Sequence, residues 1–594
     1  MCGICGEFRF DGADPDLGAV AHMMSALRRR GPDHEGAYAD GPVAFGHRRL
    51  AIIDLSEGSD QPMVDSELKL SLVFNGTIYN YRELRSELTA IGYHFFSSGD
   101  TEVILKAYHA WGERCVERMN GMFAFVVWDG HKRELFLARD RMGIKPLYYS
   151  SNALCLRFAS SPQALLAAGG VDTDIDPVAL HFQLTLHGVV PAPYTILRGV
   201  RKLAPATTMR ITADGRRFER QYWQLRSERP VQSHTESEWI ALTRSALMRA
   251  VERQYGAADT PVGVLLSGGL DSSLLVGLLD AAGVHDIPTF SIGFEEFAGE
   301  RADEFEYSDA VAGRFRTRHH RYLLSNRELL RALPETVGAM AEPMVSQDVA
   351  AFYLLAQRVV QEVKVVLTGQ GADEVFAGYY WYPRMQAESG TDLERFRRHY
   401  FDRGHEEFKA AVAPAFRGAD HTSAFVSARL AEPGASDFLD RVLRFDVTTL
   451  IVDDPLKRVD NLTMAWGLEA RVPLLDHDLV ELAAQMPAAL KLKQDGKFPL
   501  KAVARGLIPD VVIDRPKGYF PMPALTLLRA EFLDFMRDIL NSDACRRRGL
   551  FDRSYIEQLL VSPEAGLTPI GGAPLRHLAL LELWLQLNVD RVGG

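Results

Sequence analysis

A chain of 594 residues is long enough for two to four domains, each with its own core. With 47% hydrophobic and 24% charged residues and no low-complexity tract, the composition is that of an ordinary globular protein and excludes a largely disordered one. A formal net charge of -11 excludes broad, sequence-independent nucleic-acid binding, which needs a basic footprint to displace counterions; local anion sites stay open.

The chain opens with MCGICGEF, which sets Cys2 and Cys5 at C-x-x-C spacing. A structural zinc would need a second clustered pair, yet Cys115, Cys155 and Cys545 stand alone. A thioredoxin-like dithiol would follow a strand, and only Met1 precedes this pair. Neither a secretory nor a lipoprotein leader is read before Cys2, and with the odd cysteine count this points to a reducing cytoplasm. Up to about residue 225 the pattern is strand-rich: LKLSLVFNG, GMFAFVVWD, ELFLARD and KPLYYS are short apolar runs closed by turn residues. Two helices interrupt it. One opens at Asn80, where Glu83 makes a capping-box arrangement and Leu84, Leu88 and Ile91 share a face. The other follows Asp100, with Ile104, Tyr108 and Trp111 at helical spacing. Residues 1–225 read as an α+β domain of packed antiparallel sheets, and 226–240, which lose the strand pattern, as the linker into a new helix.

In residues 241–594 the rhythm becomes strand, glycine turn, helix, strand. PVGVLLS is a near-continuous apolar run, as a strand covered on both faces requires, and LLVGLLDAAG reads as a helix ended by glycine. IPTFSIGF, HRYLL and KVVLTG are further strands, so the expected fold is a doubly wound parallel sheet with ligands at the carboxyl ends of its strands. The chain beyond about 395 is mostly helical; LRHLALLELWLQLNV, with Arg576 and Glu582, is too short to span a bilayer and reads as a buried helix.

SGGLDSS, Ser267 to Ser273, follows the first of these strands, where backbone amides and a helix N-terminus converge on an anion. Glycines admit a phosphate to the backbone and Ser272 adds a hydroxyl; read alone, Asp271 is as readily an N-cap. The G-K-[ST] ending of a Walker A loop is absent. LTGQGADEVFAGYYWY again joins a strand to a glycine turn and carries Asp373 and Glu374, so Asp271 and Asp373 are candidates to share Mg²⁺ with phosphates. GKFPLK holds Lys497 and Lys501, and DRPKGYF holds Lys517. Such lysines ordinarily mark a solvated face, but a departing pyrophosphate needs a cation.

These segments, with RRGPD, GHRRLAIIDL, FNGTIYNY, SSGDTEVIL, RDRMGIKPLYY and VPLLDH, resemble the glutamine-hydrolysing asparagine synthetases along nearly the whole chain. SGGLDSS itself resembles the pyrophosphate loop of the ATP pyrophosphatases. The resemblance implies an N-terminal-nucleophile (Ntn) glutaminase sandwich joined to an ATP pyrophosphatase domain. It also implies removal of Met1, Cys2 as nucleophile, and a free α-amine as its base, so that His34 and His47 are not required. Asn75 and the Gly76 amide would form the oxyanion hole; Arg49, Ile53, Thr77 and Asp100 would join them around glutamine. Asp100 keeps a second reading, as the cap of the helix that follows. ATP contacts fall on Leu265, Ser267, Gly268, Gly269, Asp271, Ser272, Ile292, Thr368 and Gly369, with Lys517 beside the pyrophosphate and ammonia moving through an internal channel. The implied partners are small molecules (glutamine, ATP with Mg²⁺, a carboxylate acceptor), not nucleic acid or membrane; a homodimer is compatible with the sequence.

Two positions depart from that pattern. Thr77 stands where the family has glutamate after Asn-Gly, and Gln370 in GQGADE stands where it has an acid; an amide cannot act as a general base. Both changes, with the opening MCGICGEFRFDG, are similar to a branch that amidates the terminal carboxylate of N-acetylglutaminylglutamine. Asparagine synthesis from aspartate is the alternative, and a non-catalytic glutamine- or nucleotide-binding protein is another.

Overall fold

The computed structural model describes residues 2–297, 300–515, 529–563 and 566–591. The first half contains, in chain order, β1 (Gly3–Arg9), β2 (His34–Asp40), β3 (Val43–Arg49), β4 (Met63–Asp65), β5 (Leu70–Ile78) and β6 (Gly121–Asp129). They are followed by β7 (Glu134–Arg139), β8 (Tyr148–Ser151), β9 (Cys155–Ala159), β10 (Arg201–Lys202), β11 (Thr207–Ile211) and β12 (Arg217–Gln221). They form two six-stranded sheets, β10-β8-β9-β1-β3-β2 and β12-β11-β7-β6-β5-β4, antiparallel throughout. The alternation of β6 shows how they stack. Ala124, Val126 and Trp128 pack with Ile4, Phe8 and Phe45 of the opposing sheet, while Phe123, Phe125 and Val127 face the helices Tyr81–Ala90 and Thr101–Trp111. Both faces are covered, so GMFAFVVWD is apolar without a break.

The same period-2 rule separates the two opening cysteines. Ile4 and Phe8 point toward the second sheet, whereas Cys5 packs under the helix Leu17–Ala26 with its Sγ 3.5 Å from the Gly46 carbonyl oxygen. Cys2, three residues from Cys5, falls on the other side, against β5. No capping box forms at Asn80: its side chain accepts from the Asn120 amide (2.9 Å) and donates to the Arg118 carbonyl (3.0 Å), tying the helix start to a neighbouring loop. Ile91 lies beyond the last turn and is exposed rather than on the buried face of Leu84 and Leu88.

The helix Glu236–Gly256 begins inside the segment read as linker, because Thr235 and Glu238 form a reciprocal capping box. It leads into a sheet of β13 (Val262–Leu265), β14 (Pro288–Phe297), β15 (Glu300–Ala302), β16 (Arg318–Leu324), β17 (Val365–Leu367) and β18 (Glu469–Arg471). The spatial order is β15-β14-β13-β17-β18 with β16 also on β14, and every pair except β14/β15 is parallel. Helices carry the crossovers and dominate the described chain beyond β17. The helix Pro574–Leu585 is buried along its length; Glu582 is tolerated there because the Arg548 guanidinium donates to it at 3.0 Å. No helix among the described residues is long and apolar enough to cross a membrane.

Buried charge pairs dock the two halves. Arg30 and Lys145 of the sandwich reach Asp460 at 2.9 and 3.3 Å, and Lys202, 2% exposed, reaches both Glu342 (2.9 Å) and Asp453. Removing one member of such a set leaves the opposite charges buried without compensation, which costs more than the intact set contributes. Lys202→Met should therefore lower stability by about 3 kcal/mol, read as an earlier midpoint in urea unfolding; an unchanged midpoint would show that this face does not depend on the ion pairs.

Candidate active sites

The structure brings the N-terminal group of sequence candidates around one small cavity. Cys2, Arg49, Ile53, Gly76, Thr77 and Asp100 line it, together with Glu469 from β18. Cys2 is 7% exposed, and its backbone N–H donates to Asn75 Oδ1 on β5 at 3.0 Å. That bond turns the Asn75 amide over, so its Nδ2 is a buried donor with no partner among the described residues. An unmatched donor beside a thiol suits an oxygen that gains charge only during reaction. Gly76 must be glycine, because a Cβ there would lie 2.1 Å from the Met122 carbonyl oxygen on β6. Burial pushes the Cys2 thiol above its ordinary range, so a thiolate is not its resting form and a base in contact must take the proton. His47 is a poor candidate: burial lowers it to about 3.

Arg49 is held in place by the Ser56 carbonyl (2.8 Å), Asp60 (2.7 Å) and the Asp54 carbonyl, which fixes one cation at the cavity wall. Asp100 precedes the helix Thr101–Trp111 but makes no side-chain cap. Its Oδ2 instead accepts from the Ile78 amide at 3.0 Å, which turns the carboxylate toward β5 and the cavity and sets aside the capping role. Burial, with the Glu469 charge nearby, raises it to about 6.

The second cavity, of about 370 Å³, opens at the carboxyl ends of β13, β14 and β17. Leu265, Ser267, Asp271, Ser272, Ile292, Thr368, Gly369, Gln370 and Asp373 line it. Gly268 and Gly269 shape its loop. Gly268 has φ +76 and no room for a Cβ, which would sit 2.8 Å from the Ser308 amide, while Gly269 caps the helix Leu270–Ala281 and aims its N-terminus at the cavity. Asp271 is thus inside the first turn rather than at the cap. Gly369 packs directly on the Asp271 backbone, a Cβ there meeting Asp271 Cβ at 2.8 Å, and this approach sets Asp271 beside Asp373. Between them lies Lys497, its Nζ 2.6 Å from Asp271 and 2.9 Å from Asp373; Gly378 leaves the space its stem occupies.

Lys497 was visible in GKFPLK only as one lysine among several, and the signal that would have marked it, two acids converging from distant loops, is not local. Lys517 lies outside the described residues. Arg515, just before it in the same segment, pairs with Glu304 at 3.0 Å and lies within reach of the Gly269 turn. Farther along the cavity stand Glu374, His187, Arg458 and Arg576, the last from the buried helix Pro574–Leu585. Tyr379 donates to Glu374 at 2.8 Å, and burial beside Asp373 raises this carboxyl well above the usual range. The two carboxylates that share the Lys497 ammonium are hard oxygen ligands close enough to share one cation, a donor set that fits Mg²⁺ carried in with phosphates.

Residues 1–223 match the glutamine amidotransferase domain family and residues 242–586 the family described as asparagine synthase. Asparagine synthetase [glutamine-hydrolyzing] 3 of Bacillus subtilis (strain 168) is 31% identical, over 99% of this chain and 98% of that one. A putative asparagine synthetase [glutamine-hydrolyzing] of Mycobacterium tuberculosis (strain ATCC 25618 / H37Rv) is 34% identical, over 89% of each. Among solved structures, glutamine phosphoribosylpyrophosphate amidotransferase from B. subtilis matches at 18% identity with a TM-score of 0.29, covering 51% of this chain and 68% of that one.

The raised carboxyl of Asp100 is directly measurable. Its ¹³C carboxyl resonance, assigned by its absence in Asp100→Asn, should titrate with a midpoint near pH 6, as the desolvated pocket dictates; a midpoint at an ordinary aspartate value would mean that the cavity is open to water.

Proposed function

The chain belongs to the glutamine-hydrolysing asparagine synthase family, and from that premise we propose that it transfers the amide nitrogen of glutamine to the terminal carboxylate of an acylated glutaminyl dipeptide, N-acetylglutaminylglutamine. That it is an ATP-dependent carbon–nitrogen ligase follows from the family. The observation that carries the donor half is the buried Asn75 Nδ2, without a partner among the described residues, on the side chain whose Oδ1 holds the Cys2 nitrogen at 3.0 Å.

With Met1 removed, the Cys2 nitrogen held by Asn75 Oδ1 becomes a free amine next to its own thiol. It takes the thiol proton as Sγ attacks the glutamine carboxamide carbon, and Asn75 Nδ2 with the Gly76 N–H receives the developing oxyanion. The C–N bond then breaks, ammonia leaves, and water releases glutamate from the thioester. Arg49 pairs with the donor's α-carboxylate and Asp100 with its α-ammonium. Because Asp100 is raised to about 6, acidification below that value removes an anion from the site and weakens donor binding.

In the second cavity the acceptor carboxylate attacks the α-phosphorus of ATP and pyrophosphate departs. Ser267, Ser272, Thr368 and the amides of the Gly268–Gly269 turn cradle phosphates, while Leu265 and Ile292 flank the base. Asp271 and Asp373 would hold Mg²⁺, whose charge offsets that of the phosphates. Lys497, Arg515 and Lys517 are the proposed cations around the leaving pyrophosphate. Ammonia, delivered inside the protein, attacks the acyl-adenylate and AMP leaves. Gln370 cannot accept the proton that the attacking nitrogen sheds; Glu374, raised by burial and lining the same cavity, is the carboxylate suited to do so.

Two features support an amide-rich acceptor. Gln370 offers amide donors and acceptors where an acid would repel a carboxylate substrate, and the cavity continues past it to His187, Arg458 and Arg576. The similarity to asparagine synthetases favours a second reading, aspartate as acceptor. A pyrophosphate-release screen across aspartate, glutamate and acylated glutaminyl dipeptides separates them, run with glutamine and with ammonium chloride on wild type and Cys2→Ala. Release driven by the dipeptide, with Cys2→Ala active on ammonia alone, is the expected result. Release with aspartate alone would assign asparagine synthesis, and equal loss of both nitrogen sources in Cys2→Ala would overturn the two-site scheme.

A further inference from the structure

We propose that Glu469, a residue of the synthetase domain, supplies the second anionic contact for the α-ammonium group of the donor amino acid, at the position where β5 presents Thr77. This rests on the reading of the first cavity as a glutamine site and adds to it a residue from the other domain. Thr77 Oγ1 is a neutral hydroxyl, and it donates to Glu469 Oε1 at 3.3 Å across the domain boundary. Glu469 lines the same cavity as Cys2, Arg49 and Asp100 and is fully buried. Arg471, two residues along β18 and on the same face, donates to Glu469 Oε1 at 2.6 Å and keeps the carboxylate ionised despite its burial.

The cavity therefore has a fixed cation, Arg49, at one wall and two acids, Asp100 and Glu469, at another. Asp100 and Glu469 line the same small cavity, and burial, with the Glu469 charge nearby, raises the Asp100 carboxyl. Arg471 balances Glu469 from the β18 side, and a cation entering the cavity between the two carboxylates gains contact with both. An α-amino acid delivers one, with its carboxylate left for Arg49. A lone Asp100 near its titration point would be half-neutral in mildly acid conditions; Glu469 remains charged. It follows that the donor site is complete only when the two domains are docked, since one of its walls arrives on β18.

The test uses the full-length enzyme and steady-state glutamate release. Glu469→Gln, which keeps the shape and an acceptor for Arg471, should raise the KM for glutamine by about tenfold or more, with a smaller change in kcat. Adding Thr77→Glu to that variant, which returns a carboxylate from β5, should bring the KM back toward wild type, a rescue that a purely structural Glu469 would not show. Glu469→Asp, charged but shorter, should fall between. A wild-type KM in both Glu469 variants, or no recovery with Thr77→Glu, would overturn the assignment. Absence of glutamine hydrolysis in the wild-type enzyme would instead strike the glutaminase reading itself.

Discussion

The Glu469–Arg471 pair on the edge strand β18 is the constraint on which both cavities depend. Arg471 donates to Glu469 (2.6 Å), to the Ala257 carbonyl (2.8 Å) and to the Gln254 carbonyl, and its guanidinium lies 5.7 Å from the ring centre of Tyr79. A charged pair buried this deeply persists only because its donors are matched, and its loss would leave a bare charge between the domains. Its side chains close the Cys2 cavity from the synthetase side. Its backbone serves the other site: the Arg471 carbonyl accepts from the Thr368 amide at 2.9 Å and so holds the turn that carries Thr368, Gly369 and Gln370. One strand of three residues thus borders the donor chemistry with its side chains and steadies the nucleotide turn with its main chain.

The two cavities differ in the way each handles charge. The cavity at Cys2 is small, with Asn75 held by the Cys2 nitrogen and the thiol kept protonated by burial. Such a site gains from groups that need no reorganisation when an oxyanion forms. The nucleotide cavity is larger and holds opposing charges, with Lys497 keeping Asp271 and Asp373 together despite their like sign. In the proposed reaction, incoming phosphates and their cation would meet carboxylates already gathered at one point, with Glu374 beside them, itself raised by burial and by Asp373.

Much of this was legible where the determinant is local. Runs such as GMFAFVVWD and PVGVLLS announced strands, the second one covered on both faces, and SGGLDSS after a strand announced a helix N-terminus aimed at an anion. Local signals failed where a side chain had a better distant partner. Asn80 abandons its expected cap for the Arg118–Asn120 segment, and Asp100 turns to the Ile78 amide rather than to its own helix. Lys497 gains its role only because two glycine turns bring Asp271 and Asp373 together. Glu469 was beyond reach of any pattern in the chain, since its bond to Thr77 spans 392 residues and exists only through the docking of two domains. Thr77 looked like a lost contact because the residue facing it could not be seen.

In the proposed scheme one polypeptide couples glutamine hydrolysis at Cys2 to amide formation at the nucleotide cavity. Turnover with [amide-¹⁵N]glutamine, ATP and the accepted carboxylate, in the presence of excess unlabelled ammonium, tests it most directly. The expected product carries ¹⁵N in its new amide, with glutamate and AMP formed in equal amounts. A product carrying only unlabelled nitrogen, or glutamate formed with no dependence on the acceptor and no labelled amide, would contradict it.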